Sequence, residues 1–189
     1  MTEKRLILAS GSPRRAELLE QLGYRFEIIK PDVEERQLAG EKPYDYVARL
    51  SRDKAQAGLD LIRDDQAVVI GSDTIVVSGD TVLEKPCDMP HSKQMLMQLS
   101  DNQHQVMTAV TVVSWKKIHT CVVTTKVWFK PLSEQEIEQY WLSREPHDKA
   151  GSYGIQGLGG RFVTRIEGSY HAVVGLPLYE TDQLLHKFL

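Results

Sequence analysis

The 189 residues, with 41% hydrophobic and 26% charged side chains, suit one ordinary domain or two small lobes sharing a cleft. That balance excludes disordered, collagen-like and coiled-coil chains. With 23 Lys and Arg against 26 Asp and Glu, the net charge of -3 lacks the basic excess of a protein that grips a nucleic-acid backbone, while leaving room for one small anion in a local basic pocket. In chain order, Arg5 to Ala9 predicts a short buried strand, Pro13 to Leu22 a helix closed by Gly23, and Tyr24 to Ile29 a second strand. A loop with Asp32, Glu34 and Glu35 leads to a helix from Pro43 to Leu61. Ala67 to Val77 and Thr81 to Glu84 read as a hairpin around Ser78, Gly79 and Asp80.

Pro90 to Leu99 predicts a helix with Met95, Leu96 and Leu99 in the core. Gln105 to Ser114 and His119 to Phe129 form a β pair around Lys116 and Lys117. Ser133 with Glu136 is a capping box, starting a helix that runs to Leu142. Arg161 to Ile166 and Tyr170 to Val174 read as a second hairpin, and Leu178 to Phe188 as the last helix. The alternation of element types predicts one mixed α/β domain over residues 1–189. The apolar run after Arg5 is too short for a signal-peptide core and no run approaches a membrane span, so a cytoplasmic protein without a membrane partner is expected. Cys87 and Cys121 fit neither a disulfide framework nor a zinc site and read as reduced apolar side chains.

Local rules fail at four places, which is where functional sites tend to lie. In Ser10-Gly11-Ser12-Pro13-Arg14-Arg15, Ser12 is a good N-cap and Pro13 a good first helical residue. Two arginines in the first turn oppose the helix dipole, but with free amides and hydroxyls they suit a phosphate. The alternative leaves both in solvent or paired with Glu17 and Glu35. Lys54 falls inside the apolar stripe of Val47, Leu50, Ala57 and Leu61, where a lysine either snorkels outward or enters a polar cavity. Asp73 interrupts a β-branched run, a costly place unless the carboxylate is paired, hydrogen-bonded or metal-bound. A three-residue hairpin loop sets Lys85 opposite Asp73, and a two-residue loop sets it opposite Thr74. The fourth place is the run from Asp148 to Gly160, with five glycines after position 150. There Tyr153 offers a stacking face, and Gln156 an amide suited to the imide edge of uracil or thymine; the alternative is a tight crossover packed by glycines.

Phosphate-binding helix start, lysines, carboxylates and a Gly-rich loop together point to hydrolysis of a nucleotide's phosphoryl groups. The six histidines form no ligand cluster, no nucleophile elbow is present, and neither cysteine has an obvious histidine partner, so acyl transfer is not expected.

At these residues the chain resembles the Maf family of nucleoside triphosphate pyrophosphatases over nearly its whole length. The matching segments are Leu8 to Arg15, Lys54-Ala55, Gly71 to Thr74, Glu84 to Pro86, Lys149 to Gly151, Tyr153 to Gly157 and Val174 to Pro177. The resemblance implies an α/β fold of the Maf/ITPase-like kind, a long mixed sheet flanked by helices with a substrate cleft between two lobes. It implies cleavage between the α- and β-phosphates with a divalent cation, Mg²⁺ or Mn²⁺. Carried over by motif, Asp73 is the catalytic proton acceptor, and Ser10, Arg14, Arg15, Lys54 and Lys85 contact the polyphosphate, with Asp73 and Glu35 as metal ligands. Arg14, Thr74 and Gln156 match the branch acting on dTTP and UTP, where the 7-methyl-GTP branch shows Trp, Gln and Glu. A homodimer is the family expectation. The rival readings are a nucleotide-binding regulator of cell division and the same chemistry on 7-methyl-GTP.

Overall fold

The computed structural model describes residues 4–189. Its strands are β1 (Arg5–Ala9), β2 (Glu27–Ile29), β3 (Ala67–Ser78), β4 (Thr81–Leu83), β5 (Gln103–Ser114), β6 (Lys117–Phe129) and β7 (Val163–Glu167). The helices are α1 (Pro13–Gln21), α2 (Pro43–Ile62), α3 (Met89–Leu99), α4 (Glu134–Leu142), α5 (Tyr170–Val174) and α6 (Leu178–Leu185), with 3₁₀ turns at Glu145–Asp148, Ala150–Ser152 and Leu158–Phe162. The strands make one mixed sheet in the order β2-β1-β3-β5-β6-β7, with β4 paired to β3. The fold is therefore α/β, a long mixed sheet with helices. Among the described residues no helix is long and apolar enough to cross a membrane.

The chain divides into two compact units. One holds the residues up to Asp73, Thr108–Val123 and Gly175–Leu189, and the other Thr74–Met107 and Thr124–Val174.

In the first unit β1 runs parallel to both β2 and β3, so each connection needs a crossover helix, supplied by α1 and α2. Ile7, Ala9, Ala55, Leu59, Ala67, Val69 and Val113 form its apolar cluster. Each fully buried aliphatic side chain of leucine or isoleucine size stabilises it by about 1.5–3 kcal/mol. The buried stripe of α2 runs through Val47, Leu50, Ala55, Gly58 and Leu59; Leu61, expected in that stripe, is 64% exposed. The +4 step to Leu61 is outcompeted because Gly58 and Leu59 hold the close approach to the sheet. Only Glu27 to Ile29 of the expected second strand pairs with β1, while Tyr24 turns its hydroxyl to Asp182 at 2.7 Å.

In the second unit Met95, Leu96 and Leu99 pack with Phe129, Ile137, Tyr140, Tyr153 and Phe162 in one core. Both halves of the Ser133–Glu136 capping box are present at the start of α4. The β3–β4 hairpin has the two-residue loop, Ser78 opposite Thr81, and its pairing ends at Val76 opposite Leu83, short of Thr74 and Lys85. Tyr170 to Val174, expected as a strand, is helical. The Ser169 Oγ caps it by accepting the Ala172 N–H at 3.1 Å, and β7 pairs antiparallel with β6 instead. The last helix ends at Leu185, three residues earlier than its sequence pattern suggests.

Candidate active site

The candidate site in the first unit grows from the carboxyl ends of the parallel strands. Pairing of β1 with β3 reaches Leu8 opposite Ile70, so Ser72 and Asp73 continue past the point where β1 gives way to α1. Ligands of parallel α/β sheets bind at such strand ends. Helix α1 begins as its sequence dictates, with the Ser12 side chain accepting the Arg15 N–H at 3.4 Å and Pro13 at the first position. The buried Ser10 hydroxyl accepts the Ser12 N–H at 3.1 Å and a guanidinium N–H of Arg15 at 3.5 Å.

Arg15 is thus turned inward and not left in solvent, within reach of the charges of Asp73 and Glu35. Its Nε donates to the Gly175 carbonyl at 2.9 Å, and the buried Ser72 hydroxyl donates to the same oxygen at 3.2 Å. Gly175 has φ of 139°, a conformation that favours glycine, which accounts physically for a glycine in the Val174 to Pro177 segment. Burial lowers the Arg15 pKa; Arg14 works in the same direction, while Asp73 and Glu35 oppose it. Gly175 and Ser72 carry no signal in the sequence beyond their place in two of the matching segments.

Helix α2 delivers Lys54 because it lies almost on the backbone of β3. A Cβ at Gly71 would stand 2.4 Å from the Ser51 carbonyl oxygen and 2.5 Å from the Ala55 nitrogen. The Ser51 hydroxyl adds a bond to the Gly71 carbonyl at 3.3 Å. One turn along, the Lys54 ammonium donates to Asp73 Oδ1 at 2.7 Å and pairs with Glu35 Oε1 at 3.1 Å. The Lys54 side chain is 12% exposed, so it points inward and does not snorkel. Burial pushes the Asp73 carboxyl above the usual carboxylate range, more strongly than Lys54 and Arg15 pull it down; Glu35 adds to the rise. A buried carboxyl held this way is a stronger base than an exposed aspartate.

Glu35 reaches Lys54 from the loop between β2 and α2, which a clasp holds. Arg49 of α2 donates to both carboxylate oxygens of Glu41, at 2.6 and 2.9 Å, and to the Arg36 carbonyl at 2.8 Å. Two carboxylates meeting at one ammonium suit a hard divalent cation that takes its remaining oxygens from phosphate and water. Among the described residues no group of three or more His, Cys, Asp or Glu makes a complete protein cage.

The structure thus gathers Ser10, Arg15, Glu35, Lys54 and Asp73, with Arg14 half-buried beside Arg15 in the first turn of α1. Thr74, Lys85 and Gln156 belong to the second unit, where Lys85 and Gln156 are exposed and Thr74 half-buried. There the Gly151 N–H donates to the Glu84 carbonyl at 3.2 Å, joining two of the matching segments. Tyr153 offers no stacking face: it is buried, its hydroxyl 2.7 Å from His104 Nε2 and its ring edge-on to Phe129. It enters the core because the buried His104 satisfies its hydroxyl there and Phe129 packs against its ring. Cys87 does have a histidine partner, His91 Nδ1 at 3.2 Å from its sulfur, brought near by the first turn of α3. Cys121 fits the apolar reading, its thiol pushed up to about 11 by burial.

A model of Maf-like proteins matches residues 5–188. The chain belongs to the Maf family. Among curated Maf relatives, a dTTP/UTP pyrophosphatase of Vibrio cholerae is 69% identical over the whole of both chains. One from Aliivibrio fischeri is 63% identical, covering 99% of this chain and all of the relative. Another, from Salmonella typhimurium, is 56% identical over 97% of this chain and 92% of its own length. A solved nucleoside-triphosphatase (dITP/XTP pyrophosphatase) of Mycobacterium abscessus is 16% identical, with a TM-score of 0.41, covering 66% of this chain and 72% of that one.

Proposed function

We propose that this Maf protein is a nucleoside triphosphate pyrophosphatase that hydrolyses dTTP and UTP to the monophosphate and pyrophosphate. The observation that carries the reading is the buried Asp73, held by Lys54 beside Arg15 and Ser10 at the start of α1. The names of the full-length relatives supply the base preference.

In this account Asp73 accepts a proton from the water that attacks the α-phosphorus, and the bond from that phosphorus to the bridging oxygen breaks. Water and triphosphate become monophosphate and pyrophosphate, with the departing charge met by Arg15, Lys54 and Lys85. General-base help of this kind is worth about 10²–10⁴ in rate. Ser10, Arg14 and Arg15 hold phosphate oxygens where the first turn of α1 presents its amides. Asp73 and Glu35 would hold Mg²⁺ or Mn²⁺. Such an ion, when bound, neutralises polyphosphate charge and makes water more acidic. Thr74 and Gln156, with Arg14, set the preference for a pyrimidine ring. The cytoplasm, and a homodimer, are the setting that goes with a nucleotide-pool role.

The test is product analysis by ion-exchange chromatography with Mg²⁺ or Mn²⁺ and a panel of triphosphates. Monophosphate plus pyrophosphate from dTTP and UTP, with 7-methyl-GTP left intact, is the expected result. Diphosphate plus phosphate would overturn it, as would nucleotide binding without turnover.

A further inference from the structure

The glycine-rich loop is pinned on both sides of Gln156 by residues that the reading above leaves unused. On the N-terminal side, Tyr153 is anchored in the core by His104 and Phe129. The next residue, Gly154, donates its N–H to the Tyr140 hydroxyl at 3.1 Å. On the C-terminal side, Leu158 and Gly159 donate their N–H groups to the Glu145 carboxylate at 2.8 and 3.0 Å. The Tyr140 hydroxyl closes the circuit by donating to Glu145 Oε1 at 2.6 Å. Only Ile155, Gln156 and Gly157 lie between the anchors, and the Gln156 amide is exposed with no side-chain partner among the described residues.

The glycines fit around this scaffold. A Cβ at Gly157 would fall 2.1 Å from Glu145 Oε2, and one at Gly159 would fall 2.6 Å from the Tyr140 hydroxyl. The glycine density is therefore what lets one carboxylate sit inside the loop. The Glu145 main chain is itself fixed, since its carbonyl accepts the Lys149 ammonium at 3.0 Å.

We propose that Glu145, with Tyr140, is a positioning residue for base selectivity: it fixes the loop backbone so that Gln156 projects from one place. This rests on the reading that Gln156 senses the base. A carboxylate accepting three hydrogen bonds has no neutral substitute, because the amide of a glutamine turns an N–H toward one of the loop N–H groups.

The test compares the kcat/KM ratio for dTTP over GTP in wild type, Glu145→Gln, Tyr140→Phe, Gln156→Ala and the Glu145→Gln/Gln156→Ala double variant. Each single variant is expected to lower the ratio about tenfold, the order of one lost hydrogen-bond network contact. The double variant should fall no further than Gln156→Ala alone, since Glu145 acts through Gln156. Leu99→Ala, a cavity in the same unit's core, controls for lost stability and should lower the melting temperature without moving the ratio. An unchanged ratio in Glu145→Gln or Tyr140→Phe, where Gln156→Ala changes it, overturns the proposal and leaves the reading of Gln156 standing. So does a further fall in the double variant. An unchanged ratio in Gln156→Ala removes that reading and the proposal with it. Tyr140→Phe, which deletes one oxygen, keeps the test decisive if Glu145→Gln does not fold.

Discussion

At the scale of single residues, the general base proposed here, Asp73, would join a stability cost to a catalytic gain, and pH separates the two. Its carboxyl is pushed above the usual range, chiefly by burial. The native protein therefore keeps that proton at pH values where the unfolded chain has lost it. By linkage, the contribution of Asp73 to stability falls as pH rises through that window, and stays low above it. Asp73→Asn holds the neutral form at every pH, and Lys54 keeps Glu35 as a partner. The variant should thus melt at or above wild type at pH 8, with the difference closing in acid, while turnover falls at least about a hundredfold. Thermal unfolding from pH 4 to pH 8 beside steady-state rates checks both; a less stable variant, or near-normal turnover, contradicts the account. The wild-type kcat/KM should carry an acid limb above the ordinary aspartate range that Asp73→Asn lacks. Lys54 and Asp73 are each legible in the sequence because each breaks an apolar pattern, Lys54 on a helix face and Asp73 within a strand. That they meet was not legible, since contact depends on how α2 crosses β3.

Elements hold these groups in place at two points. Gly71 lets α2 approach β3, and Gly71→Ala would set a Cβ against backbone atoms of Ser51 and Ala55. Overpacking of that kind costs about 1–3 kcal/mol. Because the same two elements carry Lys54 and Asp73, urea denaturation should show the loss and kcat should fall with it. Unaltered stability would mean that the approach is looser than the structure has it. The second point is the Glu41–Arg49 clasp on the loop that carries Glu35. Arg49 holds the Glu41 carboxyl down at about 2, so its contribution is present above the ordinary glutamate pKa and is lost as pH falls toward 2. Glu41→Gln should be less stable than wild type at pH 6, the gap narrowing between about pH 4.5 and 2. A gap independent of pH, measured by urea unfolding, would detach the clasp from the charge. Most elements follow from local rules, as the starts of α1 and α4 illustrate: Ser12 with Pro13, and Ser133 with Glu136, satisfy orphan amides wherever the helix later packs. The segment from Tyr170 to Val174 escaped those rules because Tyr170, Val173 and Val174 favour a strand, while its helix is a single capped turn. Glu145 escaped them too, since nothing in its neighbours marks a carboxylate that accepts from residues 13 and 14 positions further on.

Across the whole molecule, Ser10, Arg15, Glu35, Lys54 and Asp73 lie in one compact unit, and the loop that carries Gln156 lies in the other. Family membership covers both, since the match runs from residue 5 to residue 188. The proposed reaction turns on which phosphorus the water attacks, and isotope placement reads that directly. Hydrolysis of dTTP in H₂¹⁸O with Mg²⁺ or Mn²⁺, followed by mass spectrometry of the products, is the measurement. Attack at the α-phosphorus puts one ¹⁸O in dTMP and none in pyrophosphate. Label in the pyrophosphate, or dTDP with labelled phosphate, would contradict the account.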